Sequence, residues 1–521
     1  MTSGSLEQYF EPFRENTIGR GKTFCFPSGE KEIIYVDWTA SAQGYRPIES
    51  CLQNEVIPFF ANTHTQTTTT GTLMTKAYEE AKVIIKEHVH ANEDDVLIFC
   101  GSGMTSAVNK LQRLLGLRIP ERLTGYMLDG KSPEIDETLR PVVFVTSMEH
   151  HSNHVSWLET IATVEIIAQT KDGNVDLEHF DTLLLEYRSR KNKIAAVTAC
   201  SNVTGIQTPY HEIAKLIHAH DGLCFVDFAS SAPYVSMDMH PEEADTCLDA
   251  IYFSMHKFLG GPGTPGVLIF NRKIYNNTIP DHPGGGTILY SNPWRARKYV
   301  TDIESREDGG TPPVLQAIKA AMCIRLKEEM GIKNIMEREE ELLKTAFTRL
   351  SKMTNIIVLQ GNTRKRLGII SFIVKGAHYN LIVRLLNDRF GIQTRGGCSC
   401  AGTYGHHLLN VDPEQSHEIW SALRSGDMSS KPGWIRVSIH PTMTSREIEF
   451  VMDAIESTAV NFREWMIDYC YDKSSNEYTI KGETASEQQR VEDWFRFGYQ
   501  VGTCAERQGL LVPACMPHIP S

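Results

Sequence analysis

From about residue 36 to about 270, short apolar, β-branched runs alternate with stretches whose apolar residues recur at helical spacing. The runs Val96–Cys100, Val142–Ser147, Ile194–Ala199, Leu223–Ala229, Ala250–Ser254 and Gly266–Phe270 predict strands, and Thr75–Val89 and Tyr210–His220 predict amphipathic helices. Alternation of this kind means βαβ units: an α/β fold with a mostly parallel sheet covered by helices on both faces. The segment Leu117–Arg140, rich in charge, proline and glycine, reads as a surface excursion, and the threonine run Thr67–Thr70 as a loop. A proline turn at Thr311–Pro313 opens a long helical region, Val314–Met353. Strands near Ile369–Val374 and Trp434–Ile439 then bracket further helices, as in a smaller α+β domain. The chain therefore divides into a lead-in (1–35), a large domain (36–310), a small C-terminal domain (311–465) and a polar peripheral extension (466–521).

Length and composition narrow the class. At 521 residues, 41% hydrophobic, the chain has ample material for a large core. A net charge of −12 gives no general attraction to nucleic acid or to an anionic membrane. No uncharged apolar run reaches the ~18–20 residues of a membrane helix. The first residues, with Glu7, Glu11, Arg14 and Glu15, lack the apolar stretch of a signal peptide and are too acidic for a usual transit peptide. Twelve scattered cysteines, several in strand-like runs (Cys100, Cys200, Cys224), read as reduced thiols of a cytoplasmic protein. Cys398 and Cys400 stand apart, flanked by glycines and polar residues.

Candidate chemistry gathers where predicted strands end. Cys100-Gly-Ser-Gly103-Met104-Thr105 runs from a strand through glycines into a helix, which suits a phosphate cradle, although many such turns are only turns. Ser254-Met-His256-Lys257 ends another strand before a Gly/Pro-rich loop. Lys257 there is either a lysine reaching for water or an amine able to form an imine with an aldehyde cofactor. Asp227 closes the run Leu223–Asp227, a place for a ligand-contacting carboxylate or for a simple turn cap. His150, His151 and His154 cluster after a further strand; with no third soft ligand nearby they point to ring stacking or proton transfer, not to a metal. Cys398-Ser-Cys400 followed by His406-His407 lacks the usual zinc spacing, so reactive thiols are expected, and no metal.

In this order the segments resemble the class V aminotransferases of pyridoxal 5′-phosphate (PLP) fold type I, in particular the cysteine desulfurase and selenocysteine lyase branch. The likeness spans about residues 30–460. It rests on Asp37-Trp-Thr-Ala40, Gly103-Met-Thr105, Glu149-His-His151, Ser201-Asn-Val-Thr-Gly205, Asp227, Ser254-Met-His-Lys257, Gly309-Gly-Thr-Pro312 and Arg395-Gly-Gly-Cys-Ser-Cys400. The resemblance implies PLP held as a Schiff base by Lys257, Asp227 beside the pyridine nitrogen and His150 stacked on the ring. It places Gly103, Met104, Thr105, Ser254 and His256 around the phosphate. Thr311 would reach a phosphate in the other subunit of a homodimer, and Asn202 would lie beside cofactor and substrate. Arg436, with Arg395 nearby, would hold the substrate carboxylate.

Ser230 departs from the family, standing where a glutamine usually contacts the cofactor. The Cys-x-Cys loop also departs from the bacterial desulfurases and is similar to the desulfurase domain of molybdenum cofactor sulfurases. It puts Cys400 at the nucleophile position and Cys398 beside it, expected to point the same way along an extended loop.

The implied reaction takes L-cysteine, moves its sulfur to Cys400 as a persulfide and releases alanine, with a sulfur-acceptor protein as a further partner. Another class V reaction (lyase, transaminase, epimerase, or selenocysteine cleavage) would use Lys257 and Asp227 without needing Cys400. A catalytically degenerate scaffold is the alternative of a different class; retention of the lysine, aspartate, histidine and both phosphate loops speaks against it.

Overall fold

The computed structural model describes residues 5–63, 65–123, 135–363, 365–482 and 486–496. Part of the Leu117–Arg140 excursion and half of the expected C-terminal extension thus lie outside the described residues.

The central sheet is built from β1 (Asp95–Cys100), β2 (Val142–Thr146), β3 (Thr163–Ile167), β4 (Lys193–Thr198), β5 (Leu223–Asp227), β6 (Ala250–Ser254) and β7 (Gly266–Asn271), in the spatial order β1-β7-β6-β5-β4-β2-β3. Every pairing is parallel except those of β7, which runs antiparallel to both β1 and β6. Strands β1, β2, β4 and β6 are buried along their whole length. That is why they read as continuous apolar runs without alternation: helices cover both faces of the sheet. Strand β3 has no such run, because most of it is only partly buried at its edge of the sheet, unlike β1 at the other edge, which is wholly buried.

Helix Thr69–His88 starts six residues earlier than its apolar pattern indicates. Thr68 caps it, its side chain accepting from the Gly71 N–H, so the threonine run is a helix start and not a loop. The long region after Thr311 is two helices, Val314–Met330 and Ile332–Leu350, divided at Gly331, whose φ of 74° breaks the helical path. The first of them buries Val314, Ala317, Ile324 and Met330 in the same core as the large sheet. The large core therefore extends past residue 310, the boundary expected from the proline turn.

A second core lies around the antiparallel strands β8 (Ile356–Val358), β9 (Ile369–Val374), β10 (Arg395–Gly397) and β11 (Trp434–Ser438), ordered β8-β9-β11-β10. Residues just before the large domain are stitched into it. Ile34–Tyr35 pairs in parallel with Ile392–Gln393, and Ser438 N–H donates to the Val36 carbonyl at 2.8 Å. Past the long helix Ser445–Trp465, the hairpin Tyr469–Asp472/Glu477–Ile480 packs beside this core. Among the described residues no helix is long and apolar enough to cross a membrane. Cys25 departs from the all-thiol expectation, being disulfide-bonded, whereas Cys100, Cys200 and Cys224 are buried free thiols.

The segment following β5 is held from beneath by Lys327. Its buried Nζ donates to the carbonyls of Ala232 and Val235, both at 2.6 Å, and to His88 Nε2 at 3.0 Å. Three acceptors around one ammonium use all three of its protons. Replacing it (Lys327→Met) leaves these acceptors unpaired, an expected loss of roughly 2–4 kcal/mol. The check is the urea unfolding midpoint: a clear fall is expected, and an unchanged midpoint would show that the lysine does not anchor this segment.

Candidate functional site

All the parallel strands present their C-terminal ends on one edge of the sheet, where an open α/β sheet binds its ligands. There β5 ends at Asp227, β6 at Ser254 just before Lys257, β2 just before Glu149 and His150, and β4 shortly before Asn202. The antiparallel strand β7 delivers its first residue instead: Gly266 pairs with both Cys100 and Ser254. A side chain at Gly266 would place its Cβ 2.3 Å from the Gly103 carbonyl oxygen, so only glycine lets β7 pass the turn that follows β1.

That turn carries the cradle residues. Met104 N–H donates to Ser254 Oγ at 2.9 Å, and His256 Nδ1 lies 3.0 Å from the Ser102 carbonyl. Gly103 opens helix Met104–Leu114 without a side-chain cap. Thr105 Oγ1 is 2.7 Å from Ser152 Oγ. Thr311, exposed, lines the same cavity of about 920 Å³ as Gly101 and Thr105 of its own chain.

Burial governs the electrostatics. Asp227 is 3% exposed; burial pushes its carboxyl up to about 6 against the pull of the Ala229 N–H and of Lys257. Burial lowers the Lys257 amine to about 8, with Asp227 opposing the shift. His150, half-buried near Lys257, is held down to about 3, chiefly by its partial burial, and is therefore neutral. Its Nδ1 accepts from the Ser152 N–H at 3.1 Å, which leaves the proton on Nε2.

Glu149, which sequence reasoning took only as part of a motif, underlies these groups. It is fully enclosed and accepts from Thr146 Oγ1 (2.7 Å), Thr198 N–H (2.8 Å) and Asn153 Nδ2 (2.8 Å); burial raises its carboxyl to about 8. Ser230 donates to the Cys200 carbonyl at 2.8 Å, so its hydroxyl is already engaged with the backbone.

On the other side stands the small domain. Arg436 Nη2 meets Asp37 Oδ1 at 2.8 Å, and its Nη1 donates to the Asn202 carbonyl at 3.1 Å. Arg395 Nε meets the second oxygen of Asp37 at 2.9 Å. Asp37 thus bridges both candidate clamp arginines, a role that sequence reasoning missed because its partners are so distant along the chain. Several buried atoms here have no partner among the described residues, Arg436 Nε, Asn202 Oδ1 and Ser399 Oγ among them. Buried polar atoms are ordinarily bonded, so Arg436 Nε and Asn202 Oδ1 are free to meet a ligand.

The Cys-x-Cys segment is not extended. Ser399 and Cys400 both take left-handed backbone (φ 51° and 56°), uncommon for non-glycine residues, and reverse the chain into helix Gly402–Leu408. The two thiols therefore meet different surroundings. That of Cys400 is exposed, whereas Cys398 is half-buried and packs against the large core. Asn202 Nδ2 donates to the Ser399 carbonyl at 2.8 Å. His151 brackets the turn: its N–H donates to the Cys400 carbonyl (2.6 Å) and its Nε2 accepts from the Gly402 N–H (2.8 Å).

Comparison with known proteins agrees with this layout. The family model described as Aminotransferase class-V matches residues 138–451. The protein named "Probable cysteine desulfurase" from Halalkalibacterium halodurans is 30% identical over 389 residues, 72% of this chain and 87% of that protein. One of the same name from Staphylococcus epidermidis is 30% identical over 375 residues, 71% of this chain and 84% of its own length. Among solved structures, the apo cysteine desulfurase from Thermococcus onnurineus NA1 superposes with a TM-score of 0.66 at 23% identity, covering 82% of this chain and 95% of that one. A cysteine desulfurase from Escherichia coli gives 0.65 at 19% identity, covering 88% and 99%. These structural likenesses bear on the fold.

Removing the Asp37 charge would leave Arg436 buried beside an empty space, and a guanidinium cannot discharge itself. Asp37→Ala is expected to cost roughly 3–5 kcal/mol of stability. Guanidinium chloride unfolding measures it, and a loss under about 1 kcal/mol, the scale of an exposed pair, would contradict the bridging role.

Proposed function

The chain belongs to the class V aminotransferase family, and on that premise we propose that it is a PLP-dependent cysteine desulfurase, moving sulfur from L-cysteine to Cys400 and releasing alanine. The observation that carries this reading is the tie between the Cys400 turn and the site's own residues: Asn202 Nδ2 donates to the Ser399 carbonyl, and His151, next to His150, donates to the Cys400 carbonyl. An exposed thiol that a lyase or transaminase would not need is thereby held beside the candidate site.

The residues present fit the cofactor. The glycine turn, Ser254 and His256 offer a phosphate cradle, Asp227 a buried carboxylate, and His150 a neutral ring on the adjacent loop. When bound, PLP supplies an electron-withdrawing ring that stabilises negative charge on the substrate α-carbon. Lys257 would hold its aldehyde and, once released, take the α-proton; an amine lowered to about 8 is suited to both tasks near neutral pH. Arg436 would receive the substrate carboxylate through its unpartnered Nε edge, steadied by Asp37. The Cys400 thiolate would attack the substrate sulfur. One S–S bond forms as the C–S bond breaks, leaving a persulfide on Cys400 for an acceptor. The same reading includes a homodimer, in which the exposed Thr311 reaches the phosphate of the other subunit.

Two outcomes are expected. Cofactor-free protein should capture PLP faster as pH rises, by about tenfold from about pH 7 to about pH 9, as the uncharged fraction of an amine near 8 fills. The rate should then level off. A capture rate still climbing at pH 10 would mean that Lys257 titrates like an ordinary lysine. Separately, Cys400→Ser should keep PLP and its absorbance change on addition of L-cysteine, yet release neither sulfide nor alanine. A serine hydroxyl does not ionise near neutral pH, so it cannot accept the sulfur. Parental turnover in this variant would move the chain to a cysteine-independent class V reaction.

A further inference from the structure

The Cys400 turn is not held by its own backbone preference. Two consecutive non-glycine residues in left-handed conformation, Ser399 (φ 51°) and Cys400 (φ 56°), make a shape that an isolated chain rarely adopts. Its support comes from the large domain. His151 contributes both a donor and an acceptor, gripping Cys400 and Gly402 on either side of Ala401, at 2.6 and 2.8 Å. One residue further along, Thr403 Oγ1 lies 3.1 Å from His154 Nδ1, on the same helix, His151–Leu158, as the grip itself. That helix begins immediately after His150, so the ring expected to lie over the cofactor and the clip on the cysteine turn are parts of one rigid element.

The bond to Gly402 demands a particular imidazole. Nε2 must accept, so the ring is neutral with its proton on Nδ1. Burial and the neighbouring Lys431 favour that uncharged state. Gly402 is itself needed for the approach, since a Cβ there would come within 2.9 Å of His151 Nε2.

We infer that His151 is a positioning residue, a two-point clip that holds the Cys400 thiol over the site. Its imidazole sets how fast sulfur is taken up, without taking part in binding the amino acid. This rests on the desulfurase reading for its consequence in turnover, but not for the clip itself.

The experiment compares full-length, PLP-loaded parental protein with His151→Ala and His151→Gln. The glutamine amide oxygen reaches the position of Nε2 and restores an acceptor for Gly402. Three quantities are read: kcat and KM for alanine release from L-cysteine, the cofactor absorbance change on adding L-cysteine, and the rate of Cys400 alkylation by iodoacetamide, located by peptide mass spectrometry.

His151→Ala should lower kcat about five- to tenfold, the weight of one hydrogen bond on a positioned group. KM and the absorbance change should stay within about twofold, and the freed turn should be alkylated about severalfold faster, since positioning alone is lost. His151→Gln should return both kcat and alkylation toward the parental values. Parental alkylation and kcat in His151→Ala would overturn the inference. So would equal effects of alanine and glutamine, which would assign the change to packing. If the alanine variant loses its cofactor, His151→Asn, whose amide stops short of Gly402, replaces it. If the parental protein releases no alanine at all, the desulfurase reading fails, and the alkylation rates alone decide whether the clip exists.

Discussion

Arg436 is a permanent positive charge with a side chain 4% exposed, and it is tolerable there only because Asp37 meets it at 2.8 Å. Asp37 in turn is located by the short segment that threads residues 34–39 along the small sheet. Ser438 N–H donates to the Val36 carbonyl, and Thr39 N–H to Ser438 Oγ at 3.0 Å. The same carboxylate ties down Arg395 at the start of the strand that leads into the cysteine turn. One buried ion pair thus joins the entry segment, the small domain and the loop bearing Cys400, and the small domain faces the sheet edge in a fixed register because of it.

Around that anchor the site keeps its charges mutually restrained. Burial raises Asp227 and Glu149 and lowers Lys257 and His150, so each group sits nearer its neutral form than it would in water. Of these, Asp227, Lys257 and Glu149 lie within about two units of neutral pH, where a proton is cheaply moved. Glu149 and His150 serve the architecture. The first is saturated with donors, and the second caps the helix that clips the cysteine turn.

Much of the fold was legible because strands covered on both faces must be apolar throughout, so the interior strands β2, β4, β5, β6 and β7, and the wholly buried edge strand β1, announce themselves as runs. Edge strand β3, with Glu165 in its middle and most of its length half-buried, carries no such signal. Strand β10, Arg-Gly-Gly, looks like a loop because its pairing with β11 comes from backbone alone. In the site, residues at strand ends could be picked out one by one, since the topology of an α/β sheet tells where such ends gather. His151, Asp37 and Glu149 could not be given their roles in that way. His151 meets a residue 251 positions away and Asp37 one 399 positions away, and no local pattern encodes such pairings. The two cysteines show the converse limit: alternation along an extended loop would align Cys398 with Cys400, but two left-handed residues separate them, leaving Cys400 exposed and Cys398 half-buried against the large core.

The central claim is that this arrangement passes sulfur from cysteine to one particular thiol, and it is tested most directly in a single turnover. Loaded protein in excess over L-cysteine is quenched with an alkylating agent; alanine is quantified, and persulfide is located by peptide mass spectrometry. The account predicts alanine and a persulfide on Cys400 in equal amounts. Alanine without persulfide, persulfide confined to Cys398, or a different product from the amino acid would contradict it.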